Sequence, residues 1–229
     1  MPGWVIGIIV VLVAGIGVIA YGYFRDKELN RRRSEQILGQ PERAIPGYDR
    51  GAHHPTYVTE RQAHQPPEGA KPALTAEELA VITGAIGSVT PLQIGYARKE
   101  LANDAESARV ALIDPLVLIC AEPVEAIREL LPLIDQSRRL GAAIALVAPK
   151  ISTVVLDTLV VNHIQQFLGV VAIQTESLET QFAIAELTGA AVVDRSDLMS
   201  GYLPPDRLGR CAYWVSTARQ TWIVSSPTQ

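Results

Sequence analysis

The sequence has little that suits metal or redox chemistry. Its two cysteines, Cys120 and Cys211, lie in or beside apolar stretches and form no Cys-x-x-Cys pair, which is typical of reduced, packed thiols. Three of its four histidines, His53, His54 and His64, lie in a polar, proline-rich stretch where nothing fixes a coordination geometry. We therefore predict neither a metal site nor a redox cofactor.

Signatures of catalysis and of nucleotide binding are missing as well. The sequence contains no Gly-x-x-x-x-Gly-Lys-Ser/Thr loop. Carboxylates that are close in sequence, such as Asp194 and Asp197, are better explained as turn or cap residues, because no lone pair specifies the opposed geometry of acid–base catalysis. Ser152 precedes a predicted helix without a nucleophile elbow around it, so we expect an N-cap. We expect no enzymatic activity and no cofactor.

The net charge is small, and the basic residues are unevenly distributed. The formal charge is −4, while Arg25, Lys27 and residues 31–33 form a basic cluster directly after a long apolar run. Anionic lipid headgroups explain such a cluster better than a nucleic acid does, because the cluster does not extend over the rest of the chain. We predict membrane lipid, and no nucleic acid, as a partner of this region.

The apolar run extends from Trp4 to Phe24 without a single charged residue. A helix of about 20 residues, rising about 1.5 Å per residue, spans a hydrocarbon core of about 30 Å. We therefore predict a single-pass transmembrane helix within an anchor over residues 1–24. Since basic residues stay on the cytoplasmic side, we expect the N-terminus outside the cell membrane (inner membrane) and the remainder in the cytoplasm. A cleaved secretory signal is the rival interpretation, but the positive n-region and the small-residue cleavage site are missing.

The anchor is followed by a predicted linker over residues 25–73, first basic and then proline-rich, with no sustained apolar period. A folded domain is predicted over residues 74–229. Thr75 and Glu78 have the spacing of a capping box, which predicts a helix at the start of this domain.

Strand-like and helical segments alternate in the folded domain. An apolar run over residues 110–120 is broken at Asp114-Pro115. The later segments predict helices over 123–140, 152–168 and 178–187, strands over 143–147, 170–173 and 190–193, and a closing hairpin of 212–215 and 221–224. This order predicts an α/β fold with a parallel sheet flanked by helices.

Two of the predicted helices, 123–140 and 152–168, are more apolar than one sheet requires. Their apolar residues cover arcs of about 200–220°, whereas a helix lying on a sheet needs little more than about 100°. The surplus either leaves a groove for another polypeptide or is buried against other parts of the protein or a partner subunit. Pro132 lies inside the first of these helices and is expected to kink or interrupt it.

Four ordered segments, 127–134, 159–162, 170–173 and 184–189, resemble the apical domain of the GroEL-type group I chaperonins, over about residues 90–226. In that family the domain is a parallel-sheet α/β module, and a groove between two helices holds non-native polypeptide. The resemblance implies a chaperonin-apical-domain-like fold. It also implies these polypeptide-binding residues: Tyr96, Leu131, Ile134, Leu156, Val160, Val161 and Asn162.

The sequence also departs from that family. Nothing resembles its equatorial domain, with the Gly-Asp-Gly-Thr-Thr nucleotide signature, or its intermediate domain. A shorter, acidic segment, 174–179, replaces a glycine-rich basic segment of the family. We therefore expect a membrane-anchored, chaperone-like or adaptor module that binds a client polypeptide or a protein partner. The alternative is a structural accessory subunit that braces a larger membrane complex, and a homo-oligomer is also open.

Overall fold

The computed structural model describes residues 3–38, 59–70, 74–104 and 107–226, and the chain divides into two units, Met1–Thr56 and Tyr57–Gln229. Much of the predicted linker, including His53 and His54, therefore lies outside the described residues.

The described part of the first unit, residues 3–38, is a long helix, α1 (Gly3–Leu38). It continues through the basic cluster, so residues 25–38 are helical where the sequence predicts a linker. Apolar side chains along it, such as Ile16 and Phe24, are exposed. Among the residues that the structure describes, none of the helices combines the length and the hydropathy of a membrane span. The predicted transmembrane helix thus receives no support from the structure.

The second unit begins with a short helix, α2 (Glu60–Ala63), and the longer α3 (Ala76–Ile86). The predicted capping box of α3 is confirmed. Thr75 Oγ1 accepts a hydrogen bond of 3.2 Å from the Glu78 amide, and Glu78 Oε2 accepts one of 2.7 Å from the Thr75 amide. These two bonds satisfy amides that the first turn leaves free.

The predicted parallel sheet is present in the second unit. Its parallel strands lie in the order β4-β3-β2-β5, and β6 pairs antiparallel with β2. A second sheet, in the order β1-β7-β8, is antiparallel and contains the predicted closing hairpin. The strands are β1 (Val110–Ile113), β2 (Leu116–Cys120), β3 (Ile144–Ala148), β4 (Val170–Gln174), β5 (Val192–Val193), β6 (Gly209–Arg210), β7 (Tyr213–Ser216) and β8 (Thr221–Val224).

The break at Asp114-Pro115 does more than divide one apolar run. Asp114 has a φ of 45°, and its amide donates a hydrogen bond of 3.0 Å to the carbonyl oxygen of Ala212. The turn sends β1 into the antiparallel sheet and β2 into the parallel sheet. The two halves of the run therefore belong to different sheets, which its local pattern does not indicate.

Along the chain, one helix connects β2 to β3 and another connects β3 to β4, and a 3₁₀ turn precedes the first of them. They are α4 (Leu131–Leu140), after the turn Ile127–Leu130, and α5 (Thr153–Ile164). The prediction that the first helix begins at Pro123 is wrong. Pro132 lies in the first turn of α4, where its missing N–H costs nothing, so it helps to start this helix rather than kink it.

The remaining helices are α6 (Leu178–Thr188) and α7 (Arg195–Met199). Gly141 and Gly189 end α4 and α6 with φ angles of 63° and 70°, in the left-handed region that favours glycine. The strands β2 and β3 are buried along their whole length, as expected of parallel strands in the middle of a covered sheet.

Candidate functional site

A cleft of about 400 Å³ lies between α4 and α5. Two polar residues, Arg138 and Asn162, contribute to its walls. The remaining lining residues are apolar: Ile127, Leu131, Ile134, Leu159, Phe167 and Leu168. A mostly apolar cleft with few polar groups is the usual form of a binding site for an apolar ligand or side chain.

One wall of the cleft is formed by a single face of α4. Leu131, Ile134 and Arg138 are three and four residues apart, a spacing that places side chains on the same side of an α-helix. Leu133 and Ser137 lie on the side that is buried in the domain. Leu131 is 55% exposed, so this face presents a large apolar side chain to solvent at the cleft.

The start of α5 is joined directly to the segment that leads into α4. Ser152 is the N-cap of α5, as predicted, and its Oγ accepts a hydrogen bond from the Val155 amide. The same hydroxyl donates a hydrogen bond of 2.9 Å to the carbonyl oxygen of Glu125. Backbone hydrogen bonds of 2.9 Å from Val124 and Ser152 link the two segments as well. These contacts fix where the two walls of the cleft begin.

The end of α5 places Phe167 at the cleft. The helix ends at Ile164, and Gln166 has a φ of 58°. The carbonyl oxygen of Asn162 accepts hydrogen bonds of 2.9 and 3.3 Å from the amides of Phe167 and Leu168. This turn leaves Phe167 73% exposed and Leu168 buried. The prediction that this helix extends to residue 168 is therefore wrong.

Three of the residues implied by the chaperonin resemblance, Leu131, Ile134 and Asn162, line the cleft. Leu156 and Val160 do not line the cleft; they are 5% and 4% exposed and pack in the core. Val161 is partly buried on the same helix and does not line the cleft either.

The apolar surplus of α5 is mostly covered by the chain itself. Besides β4, this helix packs against the 3₁₀ turns Lys99–Leu101 and Ile127–Leu130. The wide apolar arc of this helix therefore reflects burial on several sides more than a wide exposed surface.

Tyr96 does not line the cleft, and its contacts hold parts of the fold together. Its hydroxyl donates a hydrogen bond of 3.0 Å to the carbonyl oxygen of Ala108, and its amide donates one of 3.0 Å to that of Thr217. Tyr96 also forms an isolated bridge with Ile173 in β4. At Gly95 an added Cβ would lie 2.2 Å from the backbone of Ala218. The Gly-Tyr pair therefore joins the hairpin to the parallel sheet.

Arg138 and Phe167 are two cleft residues that were not predicted from the sequence. The seven-residue spacing between Leu131 and Arg138 is visible in the sequence and indicates a shared helix face. Phe167 was part of the apolar arc, but its position depends on the turn at Gln166, which no local pattern indicates.

A second cavity, of about 590 Å³, lies beside the end of α5. Residues 59–70, which we call the docked segment, form part of its wall. Gln165 Nε2 holds this segment by donating to the carbonyl oxygens of Gln62, Ala63 and Gln65 over 3.2, 3.0 and 2.8 Å. His163 also lines the cavity, and burial lowers its pKa. This part of the predicted linker is thus attached to the domain.

Three glutamates between β2 and α4 contact Arg195 of α7. Arg195 Nη2 donates to Glu125 Oε2 over 2.6 Å and to Glu129 Oε1 over 3.2 Å, and the Arg195 amide donates to Glu122 over 2.8 Å. These contacts explain the carboxylates as structural groups. Within the described ranges, no three metal-ligating side chains come together.

Comparisons with known proteins include a sequence match and a structural match, both to chaperonins. The chain is 29% identical over 140 residues to Chaperonin GroEL 5 of Bradyrhizobium diazoefficiens; the match covers 58% of this chain and 26% of that protein. It also resembles the open-state monomer of a group II chaperonin from Methanococcoides burtonii with a TM-score of 0.44 and 10% identity, over 62% of this chain and 32% of that chain. No family model matches. The sequence similarity supports a chaperonin apical-domain-like fold.

Proposed function

We propose that the second unit binds extended polypeptide segments in the cleft between α4 and α5. The observation that carries this proposal is the apolar cleft with Leu131 and Phe167 exposed at its edge. The chaperonin apical-domain-like fold supports it further, since the resemblance places a polypeptide groove between the same two helices. In this proposal the protein is a binding module and not an enzyme, and it requires no cofactor.

The size of the cleft suits a short stretch of chain. The ten residues of α4 extend over about 15 Å, the length of four or five residues in extended conformation. Burying one large apolar side chain contributes about 1.5–3 kcal/mol, and association itself costs several kcal/mol. A few such side chains therefore support weak, reversible binding rather than a permanent complex.

The test compares two leucines of α4 in the full-length chain, purified in a mild detergent. The probe is a fluorescein-labelled peptide, Gly-Ser-Leu-Val-Leu-Gly-Asn-Gly-Ser, followed by fluorescence anisotropy. Leu131→Ser should weaken binding about tenfold, because it removes an apolar contact of the cleft. Leu140→Ser is the matched control, since Leu140 is 60% exposed and does not line the cleft. Equal affinities of the two variants would reject the cleft as the binding site.

Phenylalanine provides a second matched pair. Phe167 lines the cleft and is 73% exposed, whereas Phe182 is 62% exposed on α6. Phe167→Ser should weaken peptide binding, and Phe182→Ser should leave it unchanged. The opposite pattern would place the binding surface on α6.

One observation favours the alternative of a structural accessory subunit. Leu178 and Phe182 are four residues apart on α6, and both are more than 60% exposed, at 63% and 62%. A permanent partner would bury such a pair. Co-migration with one partner at fixed stoichiometry, lost in Phe182→Ser and retained in Leu131→Ser, would favour this alternative over transient polypeptide binding.

We also propose that the first unit holds the chain at the cell (inner) membrane, with the second unit in the cytoplasm. The uncharged run over residues 4–24 and the basic cluster after it support this proposal. Alkaline carbonate extraction of membranes tests this proposal. Retention of the protein in the membrane pellet, and its loss when Val13 and Ile16 are both changed to Arg, would support the anchor. Release of the unaltered chain would overturn it.

A further inference from the structure

Arg138 is the positively charged side chain on the cleft wall. It lies on the same face of α4 as Leu131 and Ile134. It therefore brings a cation next to the apolar surface that a bound segment would cover.

Arg138 has no ion pair or hydrogen bond within the part of the chain that the structure describes. Two other arginines of the second unit differ in this respect. Arg139 donates to Asp135 Oδ2 over 2.5 Å, and Arg98 donates to Asp157 Oδ1 over 2.6 Å. Asp135, three residues before Arg138, is thus already bound to another arginine. The guanidinium at the cleft remains available to an acidic group from outside the domain.

The surface continues beyond Arg138. An adjoining depression of about 370 Å³ shares Arg138, Phe167 and Leu168 with the cleft and extends past them to Gly141 and Gln166. A bound chain can therefore run past the guanidinium rather than end there. This geometry suits the side chain of an internal Asp or Glu better than a C-terminal carboxylate.

The helix also sets the spacing between the apolar and the acidic contact. Ile134 and Arg138 are four residues apart, a rise of about 6 Å, which equals about two residues of an extended chain. Given that the cleft binds polypeptide, as its proposed function requires, we infer that it selects extended segments in which an Asp or Glu lies about two residues from a large apolar side chain. The carboxylate pairs with Arg138 while the apolar side chain enters the cleft.

The expected preference is modest because Arg138 is exposed. A solvent-exposed ion pair corresponds to an affinity difference of about three- to fivefold, and added salt screens it. The cation therefore sets which segments are preferred, while the apolar contacts provide most of the binding.

The experiment uses the full-length chain in mild detergent and three labelled peptides of the form Gly-Ser-Leu-Val-Leu-Gly-x-Gly-Ser, with Asp, Asn or Lys at x. The unaltered protein should bind the Asp peptide about three- to fivefold more tightly than the Asn peptide at low salt. Arg138→Gln should abolish this difference by lowering the affinity for the Asp peptide to that for the Asn peptide. Arg138→Glu should reverse the preference in favour of the Lys peptide.

Arg219→Gln is the matched control, because it removes an exposed arginine between β7 and β8 that does not line the cleft. This variant should retain the preference for the Asp peptide. Equal binding of the Asp and Asn peptides by the unaltered protein would overturn the inference about Arg138 while leaving the proposed function intact. Binding of none of the peptides would overturn the proposed function itself.

Discussion

Ser152 Oγ donates a hydrogen bond of 2.9 Å to the carbonyl oxygen of Glu125, and this contact connects the two walls of the cleft. Ser152 caps α5, while Glu125 lies just before the 3₁₀ turn that leads into α4. One hydroxyl therefore has two roles, as acceptor for the Val155 amide and as donor across the segments.

Replacing Ser152 by Ala should lower the free energy of unfolding by about 1.5–3 kcal/mol, because the cap and the connecting hydrogen bond are lost together. Ser177→Ala is the control. Ser177 caps α6 by accepting from the Thr180 amide, and this variant should cost only about 1 kcal/mol. Urea unfolding followed by circular dichroism measures both. Equal losses in the two variants would show that the Glu125 contact adds nothing.

The order of helices and strands could be predicted from the sequence because apolar periodicity and helix caps are local signals. Thr75, Ser152 and Gly141 are examples in which the cap residue itself identifies the boundary. The assignment of β1 and β2 to different sheets could not be predicted in this way, because it depends on pairing with β7 and β3, which lie far along the chain.

The candidate site was predicted only in part for a similar reason. The positions of the apolar residues along α5 indicate how much apolar surface the helix has, but not which other segments cover that surface. The 3₁₀ turn Lys99–Leu101, more than 50 residues earlier in the chain, packs against α5, and Leu156 and Val160 are buried. Leu131 and Ile134 line the cleft because α4 keeps one face open.

The ion pair of Asp104 and Arg109 should contribute more to stability than the exposed pairs. Arg109 Nε donates to Asp104 Oδ2 over 2.7 Å, with the side chains only 14% and 8% exposed, and Arg109 also donates to Thr83 Oγ1 in α3. Burial alone would raise the pKa of Asp104, but hydrogen bonds from Arg109 and Ser107 outweigh it, and the pKa lies below 3.8. Asp104→Asn should therefore lower the free energy of unfolding by about 2–4 kcal/mol.

The control for this change is Asp157→Asn. Asp157 pairs with Arg98 over 2.6 Å, but these side chains are 55% and 33% exposed, so the loss should be less than about 1 kcal/mol. Chemical denaturation at neutral pH measures the two variants. If Asp104→Asn lowers the free energy of unfolding no more than Asp157→Asn does, the buried pair does not contribute more to stability than the exposed one.

His163 should make the stability depend on pH in the weakly acidic range. Burial holds its pKa below 6.5 in the folded state, and its Nδ1 has no hydrogen-bond partner among the described residues. As the pH falls below 6.5, the unfolded chain binds the proton first. The contribution of neutral His163 is therefore complete above this pH and is lost as the pH falls through the lower, folded-state pKa.

The measurement is the free energy of unfolding at about pH 7.5 and about pH 5.5, on either side of the ordinary histidine pKa. The unaltered chain should lose more stability between these two values than His163→Gln does. His64→Gln, which changes an exposed histidine of the docked segment, should behave like the unaltered chain. The same loss in His163→Gln as in the unaltered chain would assign the pH dependence to other groups.

Gln165 should determine whether the docked segment stays on the domain. Its amide shares two N–H groups among the carbonyl oxygens of Gln62, Ala63 and Gln65, so one side chain supplies several of the contacts that hold residues 59–70. Gln165→Ala should therefore increase hydrogen exchange of the Ala63, Gln65 and Ala70 amides, whose own hydrogen bonds lie within the segment.

Gln136→Ala serves as the control, because Gln136 Nε2 donates to the carbonyl oxygen of Leu203, away from the docked segment. Exchange of residues 59–70 should be unchanged in that variant. Peptide affinity should stay within about twofold in Gln165→Ala, because no residue of the docked segment lines the cleft. Unchanged hydrogen exchange in Gln165→Ala would show that contacts other than the Gln165 amide hold the docked segment. A large loss of peptide affinity in this variant would show that the segment supports the cleft through Leu168, which lines both cavities.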